Sequence, residues 1–449
     1  MMTLAEAARL IGAHQQPAGH FTGVGTDSRT LAAGELFVAL AGPRFDGHDY
    51  LPAVAAAGAA GAVVRRPHPA LPCLVVADPL AALGRLAAAW RGRFTLPLLA
   101  VTGSSGKTTI KELLAAALAG LGPVLATRGN RNNHIGVPLT LLELRPAHRA
   151  AVIEMGMNHP GEIAHLAALA GPTVGVIGNA GAAHLEGLGS VAAVARAKGE
   201  LIERLPADAV AVLNADDAHL PLWRELAGAR RVISFGLDQP ADVTAEYTLS
   251  ADGSALELRT PAGSIATRLA LLGRHNVLNA LAATAAALAA GADLADIAKG
   301  LATVRPVPGR LYPLTGQAGA RLIDDSYNAN PLSVRAAIEV LAGLPGERLL
   351  VLGDMRELGA DAARLHADCG AAARAAGIEH LVTLGPLATH AASAFGAGAV
   401  ACTELAQVID AAGALLQPDL IALIKGSRSA GMERVVQALA AGDSPHGGH

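Results

Sequence analysis

The sequence predicts an α/β protein of three domains, on three observations. Its 449 residues suffice for about three domains of roughly 150 residues each. Apolar, strand-like runs alternate with helical patterns, which is typical of βαβ units around a mostly parallel sheet. Segments rich in proline and glycine, which disfavour regular structure, lie near Pro97 and over 305–310. We therefore expect domains at 1–95, 96–308 and 309–449.

The first domain is expected to be a small mixed α/β unit. A helical pattern at the N-terminus is followed by short strand-like pieces, among them Glu35–Leu40 and Ala62–Val64.

The central domain has the clearest alternation. Its predicted strands are Leu98–Val101, Ala151–Glu154, Val174–Ile177 and Ala209–Leu213. Each is followed by a turn rich in Gly, Pro or Asn and then by a helical pattern. Such a mostly parallel sheet binds ligands at the carboxyl ends of its strands.

The third domain repeats this pattern. Strands are predicted at Leu322–Asp324, Leu349–Leu352 and Leu420–Ile424, each ahead of a polar loop. We expect a second α/β sheet whose loops also face a ligand.

Composition excludes several classes of protein. Hydrophobic residues make up 52% of the chain and charged residues 16%, as in a well-buried globular protein. The net charge is −3 and Lys and Arg form no run of five, so no nucleic-acid partner is expected. The three cysteines lie far apart in the sequence, which indicates a reducing compartment.

Targeting and membrane signals are not predicted. Glu6 and Arg9 interrupt the apolar core that a signal peptide needs. The apolar stretch Leu278–Ala290 is shorter than the roughly 20 residues of a membrane span, so we expect a buried helix. The prediction is a soluble, cytoplasmic protein.

The most informative motif is the Gly-rich turn Thr102–Thr109, which follows a predicted strand and opens a helix predicted over Ile110–Ala119. Backbone N–H groups of such a turn bind phosphate oxygens, Lys107 neutralises them, and the Thr108 hydroxyl can bind Mg²⁺. A generic Walker A motif has a small residue where Val101 stands, and the alternative is a Gly/Ser turn with a chance lysine. The context predicts a nucleoside triphosphate site.

An acidic residue and a histidine follow the next strands. Glu154 ends one strand beside this turn, where Mg²⁺ requires an acidic ligand; the alternative is a solvated strand-end carboxylate. His184 lies in the loop after another strand, and from the residue alone a surface position is more plausible than a functional one.

Lys198 is placed unusually. In the helix predicted over Ser190–Leu205, position 198 lies on the apolar stripe, seven residues after Val191 and four before Ile202. Burial lowers the pKa of an amine and makes it nucleophilic. The alternative is a side chain that extends to solvent.

Three polar segments complete the candidates. Asn276 and Asn279, beside His275, lie on one helix face and suit an adenine edge, although Asn276 as an N-cap is equally plausible. The loop Asp324–Pro331 is functional or an ordinary capped helix start. Lys425–Arg428 offers two cations suited to a substrate carboxylate.

Taken together, the motifs resemble the Mur ligases of peptidoglycan synthesis. The Val at position 101 is also that family's form. Beside the segments already described, the resemblance rests on 129–138, 152–156, 183–187, 197–200, 273–276, 308–310, 324–330, 352–355 and 425–429.

The resemblance implies a role for each domain and two Mg²⁺ sites. The first domain would hold a UDP-sugar, the central P-loop ATPase-type domain ATP, and the Rossmann-like third domain the incoming amino compound. Thr108 and Glu154 would bind one Mg²⁺. His184 would bind a second, with Lys198 as a carbamylated, metal-associated lysine.

The remaining implied roles concern catalysis and binding. The catalytic residues would be Lys107, Glu154, His184, Lys198 and Arg310. The ATP-binding residues would be Gly103, Ser104, Ser105, Gly106, Lys107, Thr108, Thr109, Asn130, His275, Asn276, Asn279, Arg310 and Asp325. The substrate-binding residues would be Ser28, Arg29, Asp46, His48, Asn133, Asn328, Asn330, Lys425, Ser427 and Arg428.

The implied activity is the ATP-dependent joining of D-alanyl-D-alanine to UDP-N-acetylmuramoyl-tripeptide (UDP-MurNAc-tripeptide) by a monomer. One alternative is another ligase of the family, such as the enzyme that adds the diamino acid or a folylpolyglutamate synthase. The Asp-Asn-Pro-Arg motif of the diamino-acid ligase is absent from this sequence. A second alternative is a binding protein that has lost catalysis. It is disfavoured because Glu154, His184, Lys198 and Arg310 are all present.

Overall fold

The computed structural model describes residues 1–442, which form three α/β units in chain order. The α/β prediction with three sheet-centred units is confirmed. Residues 443–449, the end of the expected third domain, lie outside the described residues.

The first unit is built on a four-stranded parallel sheet of order β3-β4-β7-β8, with two short antiparallel pairs, β1-β2 and β5-β6. Its elements are β1 Met2–Thr3, α1 Leu4–Ile11, β2 His20–Phe21, β3 Val24–Gly25, β4 Leu36–Val38, β5 Ala41–Gly42, β6 Phe45–Asp46, α2 Leu51–Ala56, β7 Gly61–Val64, β8 Cys73–Val75 and α3 Pro79–Arg91. The strand expected over Glu35–Leu40 is shorter because the chain turns into the β5-β6 pair.

The second unit contains a six-stranded parallel sheet of order β10-β11-β9-β12-β13-β14. Its elements are β9 Leu98–Thr102, α4 Lys107–Ala117, β10 Val124–Ala126, α5 Gly136–Leu142, β11 Ala150–Glu154, α6 Glu162–Ala170, β12 Val174–Ile177, α7 Leu185–Leu188, α8 Val191–Glu203, β13 Val210–Asn214, α9 Leu220–Ala227, β14 Arg231–Phe235, β15 Thr244–Ser250, β16 Gly253–Thr260, β17 Gly263–Leu269, α10 Arg274–Ala289 and α11 Leu294–Thr303. Strand β9 is buried along its length, because helices cover both faces of a parallel sheet.

Two helices of this unit differ in extent from the prediction. Helix α4 begins three residues earlier than expected, directly after Gly106. Helix α8 begins after Ser190, whose hydroxyl accepts a hydrogen bond from the Ala193 N–H and caps the helix. Helix α10 contains most of the apolar stretch and is buried on nearly every side, as expected for that stretch.

The antiparallel sheet β15-β16-β17 was not predicted from the sequence. One face of the sheet carries Leu256 and Leu258, which are buried, while most other side chains of these strands are polar and partly exposed. Such weak alternation in a polar segment gives little strand signal.

The third unit has a six-stranded sheet of order β18-β19-β23-β20-β21-β22, parallel except for the edge strand β18. Its elements are β18 Tyr312–Thr315, β19 Arg321–Asp325, α12 Pro331–Ala342, β20 Glu347–Gly353, α13 Ala362–Ala375, β21 His380–Leu384, α14 Thr389–Phe395, β22 Ala399–Cys402, α15 Leu405–Gly413, β23 Leu420–Lys425 and α16 Glu433–Leu439. Separate apolar clusters cover the two faces of this sheet.

The carboxyl ends of β9 and β11 face loops that follow β19, β20 and β23, so the two larger sheets converge on one cleft. Within residues 1–442, no helix is long and apolar enough to cross a membrane.

Candidate active site

A cleft of about 1240 Å³ lies between the second and third units. All of its lining residues fall between Ser104 and Ser429, and most follow the carboxyl end of a strand or begin a helix. This is where open α/β sheets bind ligands.

The Gly-rich turn between β9 and α4 forms one wall. Gly106 has a left-handed backbone (φ 79°), and a Cβ atom there would lie 2.6 Å from Oδ1 of Asn279. Only glycine fits this position, and the first N–H groups of α4 are left directed at the cleft. The Lys107 Nζ donates to the Gly103 carbonyl at 2.7 Å, so the lysine side chain is held over the turn.

Asn179 holds the same turn from the end of β12. Its Oδ1 accepts from the Ser105 N–H at 2.9 Å, and its Nδ2 donates to the Ser105 carbonyl at 3.1 Å. The sequence analysis did not select Asn179, although its position directly after a parallel strand was an available signal.

Thr108 and Glu154 meet as predicted. The Thr108 hydroxyl donates to Glu154 Oε2 at 2.9 Å, and Asn132 Nδ2 donates to Glu154 Oε1 at 2.8 Å. Both Thr108 and Glu154 are buried. A hydroxyl and a carboxylate beside a phosphate-binding turn form the oxygen donor set that Mg²⁺ prefers, so these residues fit that ion.

Arg310 reaches this pair from the third unit. Its Nη2 donates to Thr108 Oγ1 at 2.9 Å, and its guanidinium lies 4.4 Å from the centre of the Tyr327 ring. A fixed cation therefore stands beside the phosphate-binding turn.

Lys198 is 1% exposed on α8, which excludes the alternative of a side chain extended to solvent. Burial lowers the pKa of its amine well below the ordinary value, and the nearby Lys107 ammonium lowers it further. Burial also lowers the pKa of Lys107, with Arg310 acting in the same direction and the Glu154 and Glu357 carboxylates opposing.

His184 lines the cleft and has a left-handed backbone. Its Nδ1 lies 2.6 Å from Oε2 of Glu357, a residue of the third unit that the sequence analysis did not select. This hydrogen bond is the main reason that the pKa of Glu357 is lowered. The carboxylate can only accept, so His184 Nδ1 carries the shared hydrogen.

His275, Asn276 and Asn279 lie together at the start of α10. Burial, with a contribution from Lys425, lowers the pKa of His275 to about 4. Asn279 Nδ2 donates to Asn276 Oδ1 at 2.9 Å, and Asn276 Nδ2 donates to the Leu272 carbonyl at 2.8 Å. Gly273 occupies the N-cap position, so the alternative of Asn276 as N-cap is wrong.

The polar loop after β19 caps helix α12 and also makes a hydrogen bond across the cleft. Asn330 is the N-cap of α12, with Pro331 as the first helical residue, and its side chain also donates to the Ser104 carbonyl at 3.3 Å. Lys425 Nζ donates to Asp325 Oδ2 at 2.6 Å and to the Asn328 carbonyl at 2.9 Å. Burial raises the pKa of Asp325, with the Lys425 charge opposing.

Ser427 and Arg428 follow β23 at the edge of the cleft. Ser427 donates to the Asp354 carbonyl at 2.6 Å, which ties two loops of the third unit together. The Arg428 guanidinium lies 5.9 Å from the Tyr327 ring centre. It forms a long ion pair with Glu433 at 3.8 Å, and its side chain is 66% exposed.

Some of the other predicted site residues line the cleft, and the rest lie in the first unit. Thr109, Asn130 and Asn133 line the cleft, and Asn133 Oδ1 also accepts the N–H groups of Ile135 and Gly136. The predicted residues of the first unit (Ser28, Arg29, Asp46 and His48) do not line it.

In the first unit, two side-chain pairs order the predicted substrate segments. Arg29 pairs with Asp27 at 2.6 Å. His48 shares a hydrogen bond with Asp46 at 2.7 Å through Nδ1 and accepts the Arg65 N–H at 2.9 Å through Nε2. Both ring nitrogens of His48 are thus engaged within the protein.

Within the described residues 1–442, no group of three or more His, Cys, Asp or Glu side chains is arranged to hold a metal ion. Proteins commonly bind Mg²⁺ through one or two carboxylates together with substrate phosphates. The Thr108–Glu154 pair is a donor set of that kind.

Three family models match the chain in order. The Mur ligase family, catalytic domain, matches residues 20–91; the Mur ligase middle domain matches 101–287; and the Mur ligase, glutamate ligase domain, matches 309–428.

Full-length relatives carry one enzyme name. The UDP-N-acetylmuramoyl-tripeptide--D-alanyl-D-alanine ligase of Escherichia coli (strain K12) is 45% identical over 423 residues, covering 93% of each chain. The ligase of that name from Mycobacterium tuberculosis (strain H37Rv) is 36% identical, covering 99% of this chain and 98% of its own.

Solved structures of MurF proteins also match this chain. A crystal structure of MurF from Acinetobacter baumannii has a TM-score of 0.92 and 39% identity, covering 97% of this chain and 98% of that one. MurF ligase from Thermotoga maritima, in complex with ADP, has a TM-score of 0.83 and 28% identity, covering 93% and 96% of the two chains. With matches in all three units and relatives aligned along nearly the whole length, this chain belongs to the Mur ligase family.

Proposed function

We propose that this protein is an ATP-dependent amide ligase that adds D-alanyl-D-alanine to UDP-MurNAc-tripeptide. The observation that carries the proposal is the contact between Arg310 and Thr108. It places a fixed cation from one unit against the phosphate-binding turn of another. The full-length relatives named as this ligase supply the substrates.

The domain roles follow from the placement of the polar residues. We assign 1–95 to the UDP-sugar, 96–308 to ATP and 309–449 to the dipeptide. Ser28, Arg29, Asp46 and His48 belong to the first assignment, and their position outside the cleft means that the substrate must extend from the first domain to the phosphates.

Binding of ATP is assigned to the turn and to α10. Gly103, Ser104, Ser105, Gly106, Thr108 and Thr109 would contact the phosphates through backbone and hydroxyl groups, with Asn130 at the rim. His275, Asn276, Asn279 and Asp325 would surround the adenosine. Because the pKa of His275 is near 4, its ring is neutral at physiological pH.

The chemistry begins with activation of the tripeptide carboxylate. One carboxylate oxygen attacks the γ-phosphorus of ATP, the bond to the β–γ bridging oxygen breaks, and ADP leaves. Lys107 and Arg310 would neutralise the charge on the transferring phosphoryl group. The product is an acyl phosphate, a far better electrophile than a carboxylate.

In the second step, the free amine of D-alanyl-D-alanine attacks the acyl carbon. The tetrahedral intermediate collapses with loss of inorganic phosphate, and the nitrogen that attacked releases a proton to solvent. Asn133, Asn328, Asn330, Lys425, Ser427 and Arg428 are assigned to hold the substrates. Of these, Arg428 is the cation best placed for the dipeptide carboxylate, because it is exposed and its ion pair with Glu433 is long (3.8 Å), whereas Lys425 is bound to Asp325 at 2.6 Å.

Two Mg²⁺ ions, when bound, would neutralise phosphate charge and orient the transferring group. Thr108 and Glu154 would hold one, and His184 with Lys198 the other. The buried amine of Lys198 is suited to carbamylation: its lone pair attacks CO₂, a proton leaves to solvent, and an anionic carbamate remains.

We further propose that the enzyme acts as a monomer in the cytoplasm. The cleft is built within one chain, so a second copy is not needed to complete it. The three cysteines are free and buried, which suits a reducing compartment.

The test is an assay of phosphate release with ATP and UDP-MurNAc-tripeptide. D-alanyl-D-alanine should support turnover and yield UDP-MurNAc-pentapeptide by mass spectrometry. Single amino acids, including diaminopimelate, lysine and glutamate, should not. Turnover with one of these and not with the dipeptide, or no turnover with any of them, would contradict the proposal.

A further inference from the structure

The loop between β20 and α13 brings a carboxylate of the third unit to His184. Glu357 Oε2 lies 2.6 Å from His184 Nδ1, and the Glu186 N–H donates to the Glu357 carbonyl at 3.2 Å. Side chain and backbone therefore join the same two loops across the cleft.

Both partners have strained backbones. The φ angles of His184 and Glu357 are 57° and 62°, and only Leu311 and Ala318 share a positive φ among the non-glycine residues of 1–442. Such a conformation is unfavourable for a residue with a side chain and persists where its surroundings enforce it, commonly at functional sites. Two of four such residues contact each other here.

Hydrogen bonds within the third unit hold the loop that carries Glu357 in place. His366 Nε2 accepts the Met355 N–H at 2.8 Å, and its Nδ1 donates to the Ala362 carbonyl at 2.7 Å. Asp354 Oδ1 accepts the N–H groups of Leu387 and Ala388 at 3.0 and 2.8 Å. Glu357 is thus presented by a well-supported part of the third unit.

We propose that Glu357 is a positioning residue that fixes the orientation and tautomer of His184 from across the domain interface. A carboxylate partner places the hydrogen on Nδ1 and leaves Nε2 as the nitrogen available to a ligand in the cleft. Carboxylates hold metal-binding histidines in this way. His184 is therefore made ready only when the third domain is docked. This inference rests on the proposed function, in which His184 holds a metal.

The experiment is a double-mutant cycle between Glu357 and His184. Glu357→Ala and Glu357→Gln are made in the wild-type and His184→Ala backgrounds, with Glu379→Gln as a control. Glu379 pairs with Arg348 near the opposite, amino-terminal edge of the third sheet, so its loss removes an equal charge far from the cleft.

The first readout is Mn²⁺ binding, measured by electron paramagnetic resonance with a non-hydrolysable ATP analogue. Glu357→Ala should weaken one bound ion about 10- to 100-fold, Glu357→Gln should lie between, and Glu379→Gln should match wild type. In the His184→Ala background, Glu357→Ala should cost less than about twofold, because the partner is already gone. Equal losses in both backgrounds, or unchanged Mn²⁺ affinity in Glu357→Ala, would overturn the proposal.

The second readout needs no metal. In ¹⁵N-histidine-labelled protein without Mg²⁺, with UDP-MurNAc-tripeptide and a non-hydrolysable ATP analogue present to dock the third domain, the His184 ring signals are assigned by their loss in His184→Ala. They should report the Nδ1–H tautomer in wild type and a mixture in Glu357→Ala. If Glu357→Ala does not fold, Glu357→Gln decides, since it keeps the size and an acceptor oxygen. Ligation by the wild type is scored separately, so failure of the proposed function is distinguishable from failure of this inference.

Discussion

Lys198 lies in an environment that is unusual for a lysine. It is 1% exposed and lies beside Lys107, and both features lower its pKa. The neutral amine is the form that reacts with CO₂, whereas a buried ammonium beside a second cation would be unfavourable.

Lys198→Ala should therefore lose most ligase activity, because the anionic carbamate is lost along with the amine. Acetate or formate should restore part of it by occupying the vacated site. The measurement is turnover in CO₂-depleted buffer with and without these acids. A Lys198→Ala enzyme with unimpaired turnover would remove the carbamate assignment.

His275 should make stability depend on pH between about 4 and 6.5. Its folded-state pKa is about 4, below the ordinary value of about 6.5, so the unfolded chain binds more protons in this window. Stability from this residue is complete above the window and declines as the pH falls through it, by about 2 kcal/mol at pH 5.

The check is thermal melting at pH 7 and pH 5 for wild type, His275→Gln and His14→Gln, a variant of an exposed histidine. The fall in melting temperature should be smaller in His275→Gln than in the other two. Equal falls in all three proteins would show that His275 does not titrate in this window.

At the residue scale, candidate site residues could be predicted where a local sequence pattern marks them. Lys198 was found by its helical spacing, and Glu154 by its place at a strand end. Glu357 was not predicted, because its role depends on a contact with His184, which lies 173 residues away in the sequence. No local pattern encodes such a contact.

At the scale of elements, the turn between β9 and α4 depends on one glycine. Gly106 combines a left-handed backbone with close contact to Asn279, so a side chain there meets two obstacles at once. The parallel strands that were predicted in the two larger sheets agree with the observed bounds to within one or two residues, because burial on both faces produces continuous apolar runs. Other parallel strands, such as β10, β14 and β21, were not predicted. The sheet β15-β16-β17 was missed because its strands are mostly polar.

Gly106→Ala should destabilise the protein by about 1–2 kcal/mol and weaken ATP binding strongly, since the Cβ displaces Asn279. Gly171→Ala is the matched control, because Gly171 also has a positive φ (52°) but open space around it. Denaturant unfolding and ATP titration of both variants measure the two effects. If Gly106→Ala binds ATP as Gly171→Ala does, the turn is not the phosphate site.

At the scale of the whole molecule, the segment 305–310 lies between α11 and β18 and contains two prolines and a glycine. Arg310 and Asn330 of the third unit contact a turn more than 200 residues earlier. We expect this segment to act as a hinge that lets the third unit close over the ligands and protect the acyl phosphate from water.

Small-angle scattering should show compaction when a non-hydrolysable ATP analogue and UDP-MurNAc-tripeptide are added together. Closure assembles the Arg310–Thr108 contact, so Arg310→Ala should compact less. An unchanged radius of gyration in the wild type would count against the hinge.

It could be predicted that the α/β units follow one another along the chain and that such a sheet presents its ligand face at the carboxyl ends of its strands. That two sheets share one cleft was implied only by the family resemblance. The pairing of loops across the cleft could not be predicted. The contacts of Glu357 with His184 and of Asn330 with Ser104 depend on how two separately folded sheets dock.

The central claim is that the carboxylate is activated as an acyl phosphate, and isotope transfer tests it most directly. UDP-MurNAc-tripeptide labelled with ¹⁸O in its terminal carboxylate is incubated with ATP, Mg²⁺ and D-alanyl-D-alanine, and the released phosphate is analysed by mass spectrometry. The mechanism predicts one ¹⁸O in each phosphate formed from fully labelled substrate, because the bridging oxygen leaves with phosphorus. Phosphate without ¹⁸O, released at the rate of amide formation, would contradict it.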